Sequence, residues 1–211
     1  MNITILDVEN TTTTKNNKLH LDPYERGNSL VMVGIHKLGS ENTSTYIFDH
    51  NDTTRSDDLI SNHYAVQSCL DKTDILVCHN VAYDLIWLWE SGFKYTKGVY
   101  DTMLAQYVMN KGINNSLSLS HLAEYYKCSY LKQDVLKNYF SKGYSTKEIP
   151  RQELETYLIH DVLATKEIYE KQTKKLQNTT LLKTVQLTNE VCIALTKMYK
   201  AGFKIDTTAL A

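Results

Sequence analysis

The first half of the chain alternates short apolar runs with polar turns. Residues 2–8 form such a run between turn residues, a pattern that is typical of a buried strand. Residues 30–37 and 44–49 form two more runs, and the intervening Leu-Gly-Ser-Glu-Asn predicts a hairpin between them. Residues 75–78 predict a further strand. The polar stretch at residues 10–18 predicts a surface loop after the first strand.

Elsewhere the apolar positions recur at helical spacing. This pattern predicts helices over residues 57–71, 81–90, 101–110, 117–127, 150–175 and 180–201. Ser145 and Glu148 have the spacing of a capping box, and Pro150 suits the first turn of the long helix that follows. Gly202 is suited to end the last helix.

Together these elements predict an α/β fold with a central mixed β-sheet flanked by helices. The hairpin strands provide antiparallel neighbours, and the helix inserted between strands provides a parallel crossover. The late part of the chain is helical, and the last helix is expected to lie outside the core as a C-terminal extension.

Composition narrows the possible functions. The chain has 211 residues, of which 42% are hydrophobic, so it can bury a substantial core. A net charge of −1 argues against a tail-type nucleic-acid binder, whose affinity comes from bulk positive charge. The four cysteines show no zinc-site spacing, and we expect buried thiols in a reducing cytosol. We find no signal peptide and no apolar run of membrane-spanning length, so no membrane partner is expected.

Two acids stand where the first strand ends. Asp7 and Glu9 are two residues apart, so in a strand they point to the same side as Ile3 and Ile5. Neighbouring carboxylates repel each other, and a divalent cation removes that conflict. The alternative is a pair of ordinary acids where a strand enters a solvated loop, but the chain has no other Asp-x-Glu.

A second acidic position follows the strand at residues 75–78. Asn80 is placed to cap the next helix, and Asp84 lies one turn further on the same face. Functional groups of α/β folds gather at such strand-to-helix junctions. A capping Asn and a first-turn acid that favours the helix dipole are the plainer interpretation. That interpretation does not explain why a second acid stands at a second strand end.

A tyrosine and an acid share one face of the long helix. Tyr157 and Asp161 are four residues apart, so they can share one ligand or one water molecule. Tyr130 and Asp134 have the same spacing in a chain with 15 tyrosines. We prefer Tyr157 and Asp161 because their helix is the strongest one predicted, whereas the other pair lies in a short segment flanked by lysines.

Three motifs of this chain resemble the exonuclease motifs of the DEDD superfamily, tyrosine subclass. They are Asp7-x-Glu9, Asn80-x-x-x-Asp84 and Tyr157-x-x-x-Asp161. The histidine subclass would have a His where this chain has Thr156. Over about residues 3–175 the chain is similar to the proofreading domain of family A (DNA polymerase I-like) DNA polymerases, including bacteriophage ones. Asp101-Thr resembles a helix start of that family, at which the Asp caps the helix and does not bind metal.

The resemblance implies a ribonuclease H-like exonuclease fold and a metal-dependent 3′-5′ exonuclease. Such an enzyme hydrolyses single-stranded DNA from its 3′ end to nucleoside monophosphates, and here it would proofread for a DNA polymerase. The implied catalytic residues are Asp7, Glu9, Asp84, Tyr157 and Asp161. The four acids would bind two Mg²⁺ or Mn²⁺ ions, which prefer oxygen ligands. The implied substrate contacts are Asn80, Asn10 and Thr11.

The end of the chain also resembles this family. Residues 1–176 would form the exonuclease domain, and residues 177–211 a helical linker into a polymerase-like region. The expected partner is therefore a DNA polymerase, in the same chain or a separate one. We expect a cytoplasmic protein, in the host cytoplasm if it comes from a bacteriophage.

Two other functions stay open. A ribonuclease of the same superfamily would trim RNA 3′ ends, because one contact to the 2′-hydroxyl can decide sugar specificity. A non-catalytic module would bind single strands or brace a polymerase, but its expected mark is a lost carboxylate, and all four acids are present. A nucleotide-binding α/β domain is disfavoured because the chain has neither a G-x-G-x-x-G motif nor a P-loop.

Overall fold

A five-stranded mixed sheet forms the centre of the protein. The computed structural model describes residues 1–15, 18–54, 58–113, 115–130, 135–206 and 208–209. The strands are β1 (Ile3–Asn10), β2 (Thr13–Lys15), β3 (Lys18–His20), β4 (Leu30–Lys37), β5 (Thr43–Ile47), β6 (Ile75–Cys78) and β7 (Gly98–Asp101). The sheet has the order β5-β4-β1-β6-β7, and β2 pairs with β3 in a separate ribbon.

The sheet is antiparallel on one side of β1 and parallel on the other. β4 runs antiparallel to both β1 and β5, whereas β6 runs parallel to both β1 and β7. The predicted α/β fold with a central mixed sheet is therefore confirmed. The prediction of a loop over residues 10–18 is wrong in part, because the threonine-rich run favours strand β2. Strand β7 was missed because it leads directly into a helix.

Seven α-helices and one 3₁₀ turn surround the sheet in the described part of the chain. The helices are α1 (Leu59–Lys72), α2 (Val81–Glu90), α3 (Thr102–Met109), α4 (Leu119–Tyr125), α5 (Val135–Ser141), α6 (Arg151–Leu176) and α7 (Leu181–Ala201). Only the seven-residue α5 was not predicted. Before α6, the carboxylate of Glu148 accepts a 2.7 Å hydrogen bond from the Ser145 amide, as the capping-box spacing indicates. Among the described residues, none of the helices is both long enough and apolar enough to cross a membrane.

Each face of the sheet is covered by a different set of helices. Leu6 and Leu76 belong to one buried cluster with Leu85 of α2. Ile5 belongs to the other buried cluster with Leu158 of α6. Because neighbouring residues of a strand point to opposite faces, β1 contributes to both clusters, and α6 lies against the face that carries the odd-numbered residues of β1.

The last helix is part of this core. α7 packs against α2, α3 and β7, and it buries Val185, Asn189, Cys192 and Thr196. The side-chain oxygen of Asn189 accepts a 2.9 Å hydrogen bond from the Asp101 amide at the end of β7. A C-terminal helical region is present as expected, but the expectation that the last helix lies outside the core is wrong. The partners of its buried face are distant in sequence, so helical periodicity did not identify them.

The sheet and α6 approach each other closely at Gly34. A Cβ atom at this position would lie 2.8 Å from Cγ of Leu158 and 2.9 Å from Cγ2 of Val162. Gly34 is the cross-strand neighbour of Asp7. The absence of a side chain at Gly34 therefore sets the distance between α6 and the acidic end of β1.

We expect Gly34→Ala to lower the free energy of unfolding by about 1–3 kcal/mol, because overpacking forces buried side chains or α6 to shift. Urea denaturation measures the change. The comparison variant is Gly98→Ala, whose new Cβ would lie 3.3 Å from the Asp74 carbonyl oxygen, a tight contact but a looser one than at Gly34, so we expect it to lose less stability. Equal stability of the two variants would contradict a close approach of α6 at Gly34.

Candidate active site

Strand β1 continues beyond the end of its parallel neighbour. Pairing between β1 and β6 ends at Ile5 and Val77, whereas pairing between β1 and β4 continues to Asn10. After Cys78 the chain leaves the sheet and turns into α2. The separation of β1 from β6 leaves a crevice at the carboxyl ends of these strands, where α/β folds place ligands.

The crevice has a volume of about 480 Å³ and brings distant parts of the chain together. Its lining includes all five predicted catalytic residues, namely Asp7, Glu9, Asp84, Tyr157 and Asp161. They come from three elements: β1, the start of α2 and the middle of α6. Four acids that are spread over most of the sequence therefore meet in one concave site.

Asp7 and Glu9 reach the crevice from the face of the sheet that α6 covers. Cross-strand neighbours share a face, and Gly34, opposite Asp7, is a residue that α6 approaches. Tyr157 hydrogen-bonds the Asp161 carboxylate on the same helix. Burial raises the pKa of Tyr157 far above its ordinary value, and the charges of Asp161, Glu9 and Asp7 raise it further. The phenol is therefore neutral and keeps its proton.

Asp84 enters from the opposite side and is 1% exposed. Burial raises the pKa of its carboxyl well above the ordinary value, and the charges of Asp7 and Asp101 add to this effect, whereas a hydrogen bond with the Val8 backbone opposes it. Among the described residues, Oδ1 of Asp84 has no hydrogen-bond partner. A buried carboxylate oxygen without a donor is costly, and a cation in the crevice would compensate it.

The donor set of the crevice suits a hard divalent cation, because it consists of carboxylate oxygens without cysteine sulfur. Within the described ranges, no three His, Cys, Asp or Glu side chains already stand close enough to form a metal-ligand cluster. Repulsion by Asp7 adds to the effect of burial in raising the pKa of Asp84, and a bound cation would relieve that repulsion.

Asp101 caps two helices next to this site. Its carboxylate accepts hydrogen bonds from the amides of Asn80 at 3.1 Å and Val81 at 2.9 Å, where α2 begins. It also accepts one from Met103 at 2.8 Å, where α3 begins. The expected capping role of Asp101 is thus confirmed. The prediction that Asn80 caps α2 through its side chain is wrong, because Asn80 adopts the left-handed conformation, with φ 73° and ψ 58°, and its side chain forms no capping hydrogen bond.

The three predicted substrate-contacting residues differ in position. Asn80 and Asn10 line the crevice, and Oδ1 of Asn10 accepts a 2.6 Å hydrogen bond from the Tyr83 hydroxyl. Thr11 is 3% exposed, and its hydroxyl oxygen accepts a 2.7 Å hydrogen bond from the Ser29 amide. Thr11 therefore holds the chain where it leaves β1, and the structure does not bring it into the crevice.

Sequence reasoning assigned no role to Tyr83 and His79, which also line the crevice. Tyr83 could have been noticed because it directly precedes Asp84 at the start of a helix. One ring nitrogen of His79 lies 2.9 Å from the Thr102 hydroxyl and the other 2.9 Å from the Leu117 carbonyl oxygen. No local signal indicates these contacts. Asp134, from the alternative Tyr-Asp pair, lies outside the described residues.

The sequence and the fold are both similar to known nucleases. Residues 22–177 match the 3′-5′ exonuclease family. The matched span contains Asp84, Tyr157 and Asp161 and begins after Asp7 and Glu9. No curated protein matches the chain.

The structure is similar to Brucella melitensis NrnC with bound Mg²⁺, with a TM-score of 0.63, 16% identity and coverage of 97% of this chain and 88% of that chain. NrnC bound to pGG gives a TM-score of 0.67, with the same identity and coverage. For the catalytic core of RRP6 from Trypanosoma brucei the TM-score is 0.60 at 17% identity. That match covers 90% of this chain, which spans 45% of the RRP6 chain.

Identities this low indicate a shared fold, and the predicted ribonuclease H-like exonuclease fold is confirmed. The family match extends over most of the chain and includes two of the three acidic elements of the crevice. Exonucleases of this superfamily depend on divalent metal ions. The chain therefore belongs to the 3′-5′ exonuclease family of the DEDD superfamily, and it is a 3′-5′ exonuclease, a nucleic-acid hydrolase.

Proposed function

We propose that this exonuclease acts on single-stranded DNA and uses two Mg²⁺ or Mn²⁺ ions. The main observation in support is that four carboxylates and a neutral phenol line the same crevice. A volume of about 480 Å³ lies within the range of small-ligand pockets. It therefore suits the end of one strand better than a paired terminus.

The acids divide into two groups by position. Asp7, Glu9 and Asp161 lie toward α6 and would hold one ion, and Asp7 would also serve the second ion. Asp84 would act on the second ion through water molecules. When bound, two such ions stabilise the charge on the attacking and leaving oxygens of a phosphodiester.

Tyr157 and Asn80 would position the reactants. The raised pKa of Tyr157 keeps its proton on the phenol oxygen, so the hydroxyl can orient a water molecule but does not act as a base. Asn80 is exposed at the rim of the crevice and would hydrogen-bond the terminal nucleotide. Asn10, which Tyr83 holds in place, would contact the same nucleotide.

We also propose that the enzyme proofreads for a DNA polymerase of the family A type. Residues 1–176 would carry the exonuclease site, and residues 177–211, whose helix α7 packs against α2, α3 and β7, would connect or dock it to the polymerase. The outer face of α7 supports this idea, because Leu187, Leu195 and Met198 are 60%, 57% and 67% exposed. A mismatched 3′ end costs less to unstack than a paired one, which would direct cleavage to errors.

A 5′-labelled single-stranded DNA oligonucleotide tests the proposed activity. With Mg²⁺ or Mn²⁺ we expect a ladder that shortens from the 3′ end, and faster loss of a mismatched than of a matched duplex terminus. A chelator or the variant Asp7→Ala/Glu9→Ala should abolish the ladder. Faster loss of a matched RNA would replace DNA by RNA as the substrate. If the folded protein cleaves neither, the proposal is wrong.

We expect Tyr157→Phe to lower kcat by about 100-fold with little change in KM, because it removes one oriented hydroxyl from the reacting centre. Steady-state kinetics on the same oligonucleotide measure both constants. Tyr130→Phe removes a hydroxyl from the alternative Tyr-Asp pair and should leave kcat unchanged. The opposite ranking of the two variants would assign the water-orienting role to Tyr130.

We expect Asp84→Asn to raise Tm in chelator by about 2–4 °C, or about 1 kcal/mol, because it removes a buried charge that Asp7 and Asp101 repel. Added Mn²⁺ should then stabilise the variant less than the wild type. Thermal unfolding with and without Mn²⁺ measures both effects. Asp71→Asn makes the same change at an exposed acid of α1. If Asp84→Asn loses stability in chelator, repulsion among the carboxylates is not the dominant effect.

A further inference from the structure

A depression lined by lysines and tyrosines lies away from the crevice. It has a volume of about 410 Å³ and lies between the C-terminal ends of α4 and α6. Its lining residues, called here the Lys-Tyr patch, are Tyr125, Tyr126, Lys127, Lys171, Lys174 and Lys175. Four of these six side chains are cationic and none is acidic, so the patch is positive on a chain whose net charge is −1.

An accessible aromatic ring accompanies the positive charge. Tyr125 is 58% exposed, and Nζ of Lys175 lies 5.1 Å from its ring centroid and 4.4 Å from that of Tyr126. These cation–π contacts hold the ammonium group beside the rings. A cation next to an exposed ring is the pair of groups that binds a phosphate and an adjacent base of a single strand.

Contacts within the protein fix Lys171 and, through the tyrosine rings, Lys175. Nζ of Lys171 donates hydrogen bonds to the carbonyl oxygens of Tyr126 at 2.8 Å and Lys127 at 3.1 Å, and it pairs with Glu167. Lys171 therefore fixes the end of α4. Lys174 and Lys175 are exposed and form no ion pair with a described carboxylate. They complement the dipole of α6, but that role does not require an exposed tyrosine beside them.

The two helices that form the patch also reach the crevice. α4 begins at Leu119 in the crevice and ends at the patch. On α6, Asp161 lies in the crevice, and Lys175 follows fourteen residues later. Fourteen residues span about 21 Å along α6. Thr165, Ile168 and Gln172 between them are buried, so the strand would pass over α4. A stacked strand that advances about 3.4 Å per nucleotide covers this distance in about six nucleotides.

We propose that the Lys-Tyr patch binds the 5′ part of the strand whose 3′ end occupies the crevice. The lysines contact phosphates, and Tyr125 stacks on a base, so the patch holds the strand without sequence preference. This inference rests on the proposed function, because it takes a single strand as the substrate. The patch changes how tightly long strands bind and leaves the cleavage chemistry in the crevice unchanged.

Binding of single-stranded DNA by the full chain, measured by fluorescence anisotropy in chelator, tests the patch without cleavage. One labelled strand has about two nucleotides, too few to reach the patch from the crevice, and the other has about twelve. The test variants are Lys174→Gln/Lys175→Gln and Tyr125→Ala. The control, Lys37→Gln/Lys72→Gln, removes the same charge. Lys37 pairs with Thr4 at the opposite end of β1, and Lys72 lies in the last turn of α1.

We expect both patch variants to bind the long strand more weakly and the short strand as the wild type does. For Lys174→Gln/Lys175→Gln, the slope of log affinity against log salt should fall by about 1.4, or about 0.7 for each lost phosphate contact. For Tyr125→Ala, the loss should be about five-fold or more. The control should match the wild type on both strands. With metal present, kcat/KM should fall on the long strand only.

Three results would contradict the proposed strand-binding role of the Lys-Tyr patch. They are wild-type binding of the long strand by both patch variants, an equal loss on both strands, and an equal loss in the control. If the Lys-Tyr patch does not bind the strand while the wild type cleaves DNA, only the further inference is wrong. If the wild type cleaves neither DNA nor RNA but binding depends on strand length and on the patch, the proposed function is wrong and the binding role of the patch is confirmed.

Discussion

The buried carboxylate of Asp101 joins the starts of α2 and α3 beside the crevice. It caps α2 through the amides of Asn80 and Val81 and caps α3 through that of Met103. Its own amide donates to Asn189 of α7. Burial raises the pKa of Asp101, whereas these amide hydrogen bonds oppose the rise. One residue at the end of β7 therefore sets the direction in which α2 brings Asp84 to the crevice.

The same arrangement makes the site electrostatically costly. Asp84 is buried beside Asp7 and Asp101, and both charges oppose its ionisation. Tyr157 keeps its proton for a related reason, since burial and the nearby acids disfavour a phenolate. The fold offsets this cost with apolar packing on both faces of the sheet. A divalent cation would reverse the sign of the interaction, because carboxylates that repel one another all attract it.

Charge is distributed unevenly over the molecule. The chain has 23 basic and 24 acidic residues and is almost neutral overall. Even so, carboxylates are concentrated in the crevice and lysines in the Lys-Tyr patch. α6 contributes to both, with Asp161 near its middle and Lys175 in its last turn. An enzyme that draws a strand toward acidic residues needs cations elsewhere to hold the phosphates, and a single long helix can carry both sets at a fixed distance.

The amino-acid pattern determined most of the elements and the identity of the acidic motifs. Periodicity marks which side of an element is buried, and the order of Asp7, Glu9, Asp84 and Asp161 indicated the superfamily. Only the tertiary structure decided that Thr11 bonds to Ser29 and not to the crevice, and that α7 packs into the core. It also brought the ends of α4 and α6 together as a basic patch. These outcomes depend on contacts between residues far apart in the chain, and local periodicity carries no information about which distant residue becomes the partner.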